Sequence, residues 1–314
     1  MAAAMIYPPL GARGGWLHTE WTTQIAVAVV FFVQGLQLPS NDLREGLMAW
    51  KLHLFCQSWV FLLVPGIAIG LGYPLRQWIP EELHIGLLYL AVLPTTIATS
   101  AAFTAQAKGN TAGILFNICF ANFLGLFLAP TVLAWLLAAK SNVAPALGPM
   151  FLKIILLLLV PFLIGQLCRF KVWEWAKKKK AFLSQLTTWM IFYIVYAAIC
   201  NFREQPPETG GHLSLWAAMG WTVGLLIVVQ VLCALHLRFL RWPLTWKSAA
   251  FFCATQKSMA GGLPIAGTVM AGFTSGPPLA IVVLPLMIYQ ISQMIIGALL
   301  IPFFTPRDEL SERS

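Results

Sequence analysis

The stretch FFCATQKSMAGGLPIAG, residues 251–267, places a lysine in the middle of an apolar run. Thr255, Gln256, Lys257 and Ser258 form a polar knot there, followed by Gly261, Gly262 and Pro264. A lysine near the centre of a membrane span costs ~2.5–3.5 kcal/mol on insertion scales, so it is expected to face the protein interior or a water-filled cavity. Snorkelling to the surface is the alternative, but Lys257 lies about ten residues into its span, which is deep for that. Gly261, Gly262 and Pro264 predict a break in the helix. Irregular backbone is tolerated at membrane depth only where protein or a cavity surrounds it, and broken helices of this kind build transporter binding sites. The ammonium would attract an anionic substrate or carry a titrating proton.

A second window has the same character. LAVLPTTIATSAAFTAQAKGN, residues 90–110, carries Pro94 amid Thr95, Thr96, Thr99, Ser100 and Thr104. Proline removes a backbone donor and disfavours a helical residue before it. Freed carbonyls and hydroxyls at such a break can coordinate a cation, and a half-helix N-terminus can face an anion. Taken one at a time, these hydroxyls read as back-bonds to helix carbonyls or as helix-packing contacts. Five around one proline point to a site. Each interrupted span precedes a long span with Gly-x4-Pro, Gly125 to Pro130 and Gly297 to Pro302. Members of each pair stand an odd number of spans apart, so the two copies run in opposite directions, as in an inverted repeat.

Around these windows the chain reads as an all-α membrane protein. Of its 314 residues 59% are hydrophobic and 10% charged, with mean hydropathy +0.78, too little charge to cover a soluble domain. A spanning helix needs about 20 apolar residues, and about nine candidates are present. They cover roughly 21–38, 48–71, 84–106, 110–138, 147–168, 184–200, 215–237, 248–271 and 278–303. A tail, 1–20, precedes them and another, 304–314, follows, and the two repeats run about 21–138 and 147–303. The tail at 1–20 is rich in Pro and Gly and lacks an apolar core of suitable length, so a cleavable signal peptide is not expected there.

With alternating spans, one side collects Arg44, Lys51, Lys108, Arg169, Lys171, the Lys177–Lys180 run, Arg238, Arg241, Lys247, Arg307 and Arg313. The other collects only Arg13, Arg76, Lys140, Lys153 and Arg203. This bias predicts an outside N-terminus and a cytoplasmic C-terminus. It also accounts for the net charge of +9 without nucleic acid. The Lys177–Lys180 run reads first as a topological anchor, and secondly as a contact for lipid headgroups.

Polar residues of neighbouring spans complete the candidate site. Asn117 and Asn122 lie on 110–138, and Tyr289, Gln290 and Gln293 on 278–303. Gln290 and Gln293 are one turn apart and share a face. Interhelical hydrogen bonding is the plain alternative for each. Gln34, His53 and Gln57 are weaker candidates, and His236 is expected at the interface. All eleven acidic residues lie in tails, loops or span ends. With no carboxylate at mid-membrane and no His cluster, an intramembrane hydrolase or metalloenzyme is not expected. A phosphate loop of the GxxxxGK[ST] type is absent, which argues against ATP-driven transport. The six cysteines show no metal-like spacing and are expected as free thiols.

On these residues the chain resembles the bile-acid:sodium symporter superfamily, most closely its sodium/bile acid cotransporter 7 branch. The resemblance runs through FFVQGLQL (31–38), KLHLF (51–55), ILFNICFANFLG (114–125), VPFLIGQ (160–166), FCATQKS (252–258) and LPLMIYQISQMIIGALLIP (284–302). It implies ten helices in two inverted five-helix repeats, a core domain with two crossing broken helices, a panel domain, and transport by alternating access. Because the resemblance starts at the family's second helix, nine of its ten helices are expected in this sequence, whether by native loss of the first or by truncation. Substrate or ion contacts are expected from Thr99, Ser100, Asn117, Thr255, Gln256, Lys257, Ser258, Gln290 and Gln293, with breaks at Pro94, Gly261, Gly262 and Pro264. No cofactor is implied beyond a sodium coupling ion. Sodium-coupled members carry a Glu four residues before the Gln of the second crossing helix, where this sequence has Phe252. That change, with Lys257 beside Gln256, weakens the expected sodium sites. Thr99 and Ser100 match the family's Ser-Asn pair of the first crossing helix only in part.

The expected partners are therefore a small anionic solute and the lipid bilayer, with monomer and homodimer both open. The expected location is the plasma membrane, with an internal membrane as the alternative. The branch also implies a second reading, a membrane regulator of intracellular calcium homeostasis that does not transport bile acids.

Overall fold

The structure, a computed structural model, describes residues 11, 15–37, 49–75, 79–141, 152, 155–204, 212–270 and 278–306. Most of both expected tails lies outside these residues, as do Arg13, Arg44, Arg76, Lys153, Arg307 and Arg313. The described residues form helices and connecting turns, with no strand among them. The helices are α1 (Thr19–Gln37), α2 (Trp50–Ser58), α3 (Val64–Leu75), α4 (Glu81–Val92), α5 (Ile97–Gln106) and α6 (Thr111–Ser141). They continue with α7 (Val160–Lys178), α8 (Lys180–Glu204), α9 (His212–Phe239), α10 (Leu244–Thr255), α11 (Met259–Met270) and α12 (Leu279–Leu300). A π-helical turn, Trp59–Leu63, joins α2 to α3, and another, Ile155–Leu159, leads into α7. A 3-10 turn, Ile301–Phe304, follows α12.

The described residues of the expected spans are helical apart from a few end residues and the interruptions at 93–96 and 256–258; most of 147–154, the start of one expected span, lies outside the described residues. Among the described residues five helical stretches are long and apolar enough to cross a membrane: Trp50–Pro74, Thr111–Ala139, Leu156–Lys178, Trp216–Phe239 and Leu279–Phe304. The pair α4 and α5, bent by 54° at its break, makes a sixth if counted as one span. Large apolar side chains such as Trp21, Trp135, Trp189, Ile295 and Leu299 are exposed on the helix surfaces. Such exposure suits a lipid-facing surface, where apolar side chains need no cover.

By contacts the chain divides into two compact units, each drawing on both halves of the sequence. The first holds residues 1–38, 126–210 and 260–284. In it α1 packs against α7 and α8 through Val33, Leu36, Ala176 and Leu183, with Val29, Phe32 and Leu186 alongside. The α1 and α7 backbones approach closely at two glycines. A Cβ on Gly35 would stand 2.1 Å from the Phe162 carbonyl oxygen, and one on Gly165 would stand 2.2 Å from that of Phe32. Only glycine fits there, and Gln166 donates to the Gly35 carbonyl at 2.7 Å. The second unit holds residues 39–125, 211–259 and 285–314 and contains the polar candidates other than Gln34 and the glycine and proline residues of 260–264.

Candidate functional site

The first break forms where the sequence places it. Glu81 and Glu82 sit in the first turn of α4, where the helix dipole favours negative charge. Pro94 keeps Leu93 out of the helical region, and Leu93 is extended at φ −66°, ψ 147°. Thr96 is also extended, and α5 starts at Ile97. The second break lies upstream of its expected place. It spans 256–258, with Gln256 extended at φ −92°, ψ 139°, while α11 runs unbroken through Gly261, Gly262 and Pro264. These three residues therefore do not interrupt the helix. Pro264 lies in its second turn, where a missing N–H removes a single helical bond. Hydrogen bonds from distant residues hold the polar stretch 256–258 open instead.

Those bonds also tie the two breaks together. The Ser258 N–H donates to the Pro94 carbonyl at 2.8 Å, joining one unwound segment to the other. Gln293 of α12 grips Lys257 from both sides, accepting its N–H at 2.7 Å and donating to its carbonyl at 2.9 Å. The second Gln293 donor goes to Gln290 Oε1 at 2.7 Å. Tyr289 Oη donates to the Thr255 carbonyl at 2.9 Å, and Asn122 Nδ2 donates to the Thr95 carbonyl at 3.0 Å. Ser100 Oγ reaches the Phe252 carbonyl at 3.0 Å and Thr95 Oγ1 at 2.9 Å. Thr99 Oγ1 donates to Gln256 Oε1 at 2.9 Å. Thr255 Oγ1 back-bonds to the Phe251 carbonyl at 2.9 Å within α10.

Lys257 is fully buried. Its Nζ lies 2.7 Å from the Ala91 carbonyl, 2.8 Å from that of Leu93 and 3.0 Å from that of Val60. Each oxygen lacks a helical partner for a readable reason. Ala91 belongs to the last turn of α4, whose carbonyls have no intrahelical donor, and Leu93 lies in the break. In the π-helical turn the Val64 N–H goes to the Trp59 carbonyl, and the next residue, Pro65, has no N–H to give Val60. The ammonium thus caps α4 at the negative end of its dipole. An ammonium has three donors, and all three find oxygen here.

The repeat glycines explain how the flanking helices fit. A Cβ on Gly125 would stand 2.6 Å from Pro94 Cγ, and one on Gly297 would stand 2.7 Å from the Phe103 ring and 2.9 Å from Gln256 Nε2. Each long helix therefore passes its broken partner at the glycine of its Gly-x4-Pro segment. Phe252 is buried among aromatic rings, with centroids 5.6 Å to Phe103, 5.4 Å to Phe251 and 5.8 Å to Phe304. Its position supplies no oxygen to the site except the backbone carbonyl.

A profile of the SBF-like CPA transporter family matches residues 1–306. The chain belongs to that family. It is 32% identical over 285 residues to an uncharacterized protein of Pseudomonas aeruginosa, covering 90% of this chain and 83% of that protein. It is 31% identical over 314 residues to sodium/bile acid cotransporter 7 of Danio rerio, covering 95% of this chain and 89% of the relative. The Xenopus tropicalis protein of the same name is 30% identical over 325 residues, covering 96% and 88%. As a member of the SBF-like CPA transporter family, the chain is a multi-pass membrane transporter of a small-molecule substrate and not an enzyme.

In this transporter, Ser100, Thr255, Gln256, Lys257, Ser258 and Gln293 are buried where the two breaks meet, while Thr99 and Gln290 are half-buried. Asn117 stands in a neighbouring cluster, with Nδ2 3.0 Å from His53 Nδ1 and Oδ1 accepting from Gln57 Nε2 at 3.2 Å. His53 and Gln57, weak candidates from sequence, thus join a stronger one. Gln57 Oε1 and Thr104 Oγ1 are buried without a hydrogen-bond partner among the described residues. His236 is exposed and accepts from Trp59 Nε1 at 3.2 Å. Gln34 lies in the other unit. Sequence reasoning missed the carbonyls of Val60, Ala91 and Leu93, since backbone atoms carry no residue signature. Pro65, inside an expected span, was the available signal for Val60. All six cysteines are outside disulfides.

Proposed function

We propose that this protein is a secondary transporter that moves a small organic anion by alternating access around the crossing of the two broken helices. The observation that carries the reading is the joined pair of unwound segments, 93–96 and 256–258, embedded in apolar helices. Half-helix α5 begins at the crossing, and its N-terminus favours negative charge. Thr99 and Gln290 are the half-buried polar groups at its edge and are assigned to the solute. Lys257 is assigned no direct solute contact, because its donors are spent on backbone oxygen. The two compact units correspond in this reading to the panel and the core. Sodium is the coupling ion named for the relatives, but Phe252 sits in an aromatic cluster, so uptake here is expected without a sodium gradient. The assigned setting is the plasma membrane, with the N-terminus outside and the C-terminus cytoplasmic; an internal membrane is the alternative.

The test is uptake of labelled sulfated steroids and bile acids into proteoliposomes, under a sodium gradient, a pH gradient and neither. Saturable anion uptake in all three supports the proposal. Uptake that needs the sodium gradient overturns the coupling assignment. Absence of uptake in every condition overturns the organic-anion assignment. A change in cellular calcium handling on deletion of the protein would then favour the regulatory reading.

A further inference from the structure

The three oxygens around Lys257 Nζ come from two different elements. Val60 belongs to the π-helical turn, and Ala91 and Leu93 belong to the end of α4 and its break. Among the described residues all three Nζ partners are backbone carbonyls, and the nearest acidic residues in these elements, Glu81 and Glu82, lie at the opposite end of α4. Three neutral carbonyls converging on one point make a site for a small cation, as they do in channel filters. An ammonium suits it better than a neutral amine would. With a neutral amine, one of the three carbonyls would meet a nitrogen lone pair instead of an N–H. The tether is equally well defined. Gln293 fixes the Lys257 backbone on both sides, so the side chain is aimed at the oxygens rather than free to leave.

We infer that Lys257 acts as a built-in monovalent cation, whose ammonium permanently fills an oxygen site that would otherwise take a free small cation. Ammonium and sodium are the probes that match this chemistry. Removing the side chain vacates the site without removing the carbonyls that form it. The consequence for transport, a cycle that needs no free cation at this position, rests on the reading given above; the site itself does not.

The experiment is therefore first a stability measurement, needing no transported solute. The melting temperature of purified protein in detergent is compared in ammonium, sodium and choline chloride at equal ionic strength. The natural protein is expected to respond alike to all three salts. Lys257→Ala is expected to melt lower in choline and to recover by about 5 °C in ammonium or sodium. Lys257→Met, which refills the volume without charge, is expected to show no such recovery. A sodium-specific gain in the natural protein overturns the inference and can be read even if neither variant folds. So does a Lys257→Ala protein that gains no more from the small cations than from choline. Where uptake is measurable, Lys257→Ala is expected to depend on the added cation; failure of uptake alone would count against the transport reading and leave the melting result standing.

Discussion

Gln293 anchors the second break, because one amide serves both backbone groups of Lys257. Replacing it by leucine leaves a buried N–H and a buried C=O without partners. Each such group costs roughly 1–3 kcal/mol, so Gln293→Leu is expected to lose about 2–6 kcal/mol of stability. Gln290 is half-buried and holds only one of the two Gln293 donors. Gln290→Leu is expected to cost less than half as much, while raising the solute concentration for half-maximal uptake. Denaturant unfolding in detergent beside an uptake curve separates the two. Equal stability losses in both variants would refute the division of labour drawn between them. These residues were visible in sequence as amides on one helical face, but their targets were not, since a backbone carbonyl gives no sign of being orphaned until the fold is known.

At the scale of elements, glycine marks the places where a helix must pass close to a neighbour. A methyl on Gly125 would press into the Pro94 ring, and one on Gly35 into the Phe162 carbonyl. Gly125→Ala and Gly35→Ala are each expected to destabilise by roughly 1–3 kcal/mol through overpacking. Gly220 and Gly224 of α9 have nothing within 4 Å of an added Cβ. Gly220→Ala and Gly224→Ala should be neutral or stabilise by up to about 1 kcal/mol, the helix propensity gain. Melting temperatures of the four variants test the contrast, and a loss at Gly220 as large as at Gly125 would contradict it. The two breaks differ in the same spirit. Pro94 announces the first by its own backbone chemistry. The second, at 256–258, has no proline, and the Gly261, Gly262 and Pro264 cluster beside it is helical because tertiary hydrogen bonds place the opening upstream.

For the whole molecule, the distribution of Lys and Arg predicts the orientation. A cysteine introduced at Lys179, between α7 and α8, should react with an impermeant maleimide only from the cytoplasmic side. One at Gly210, in the sequence between α8 and α9, should react only from outside. Five of the six natural cysteines are buried, which keeps the background low. Labelling of both sites from one face would overturn the alternation. Sequence alone determined the all-α membrane class, the first break and the burial of Lys257 in an apolar setting, because hydropathy and proline act locally and leave a readable trace. Tertiary structure alone decided what Lys257 touches, where the second break opens, how Asn117 meets His53 and Gln57, and how two compact units each draw on both sequence halves. Those features depend on which backbone oxygens remain unpaired once distant helices pack, and on which side chain arrives to meet them.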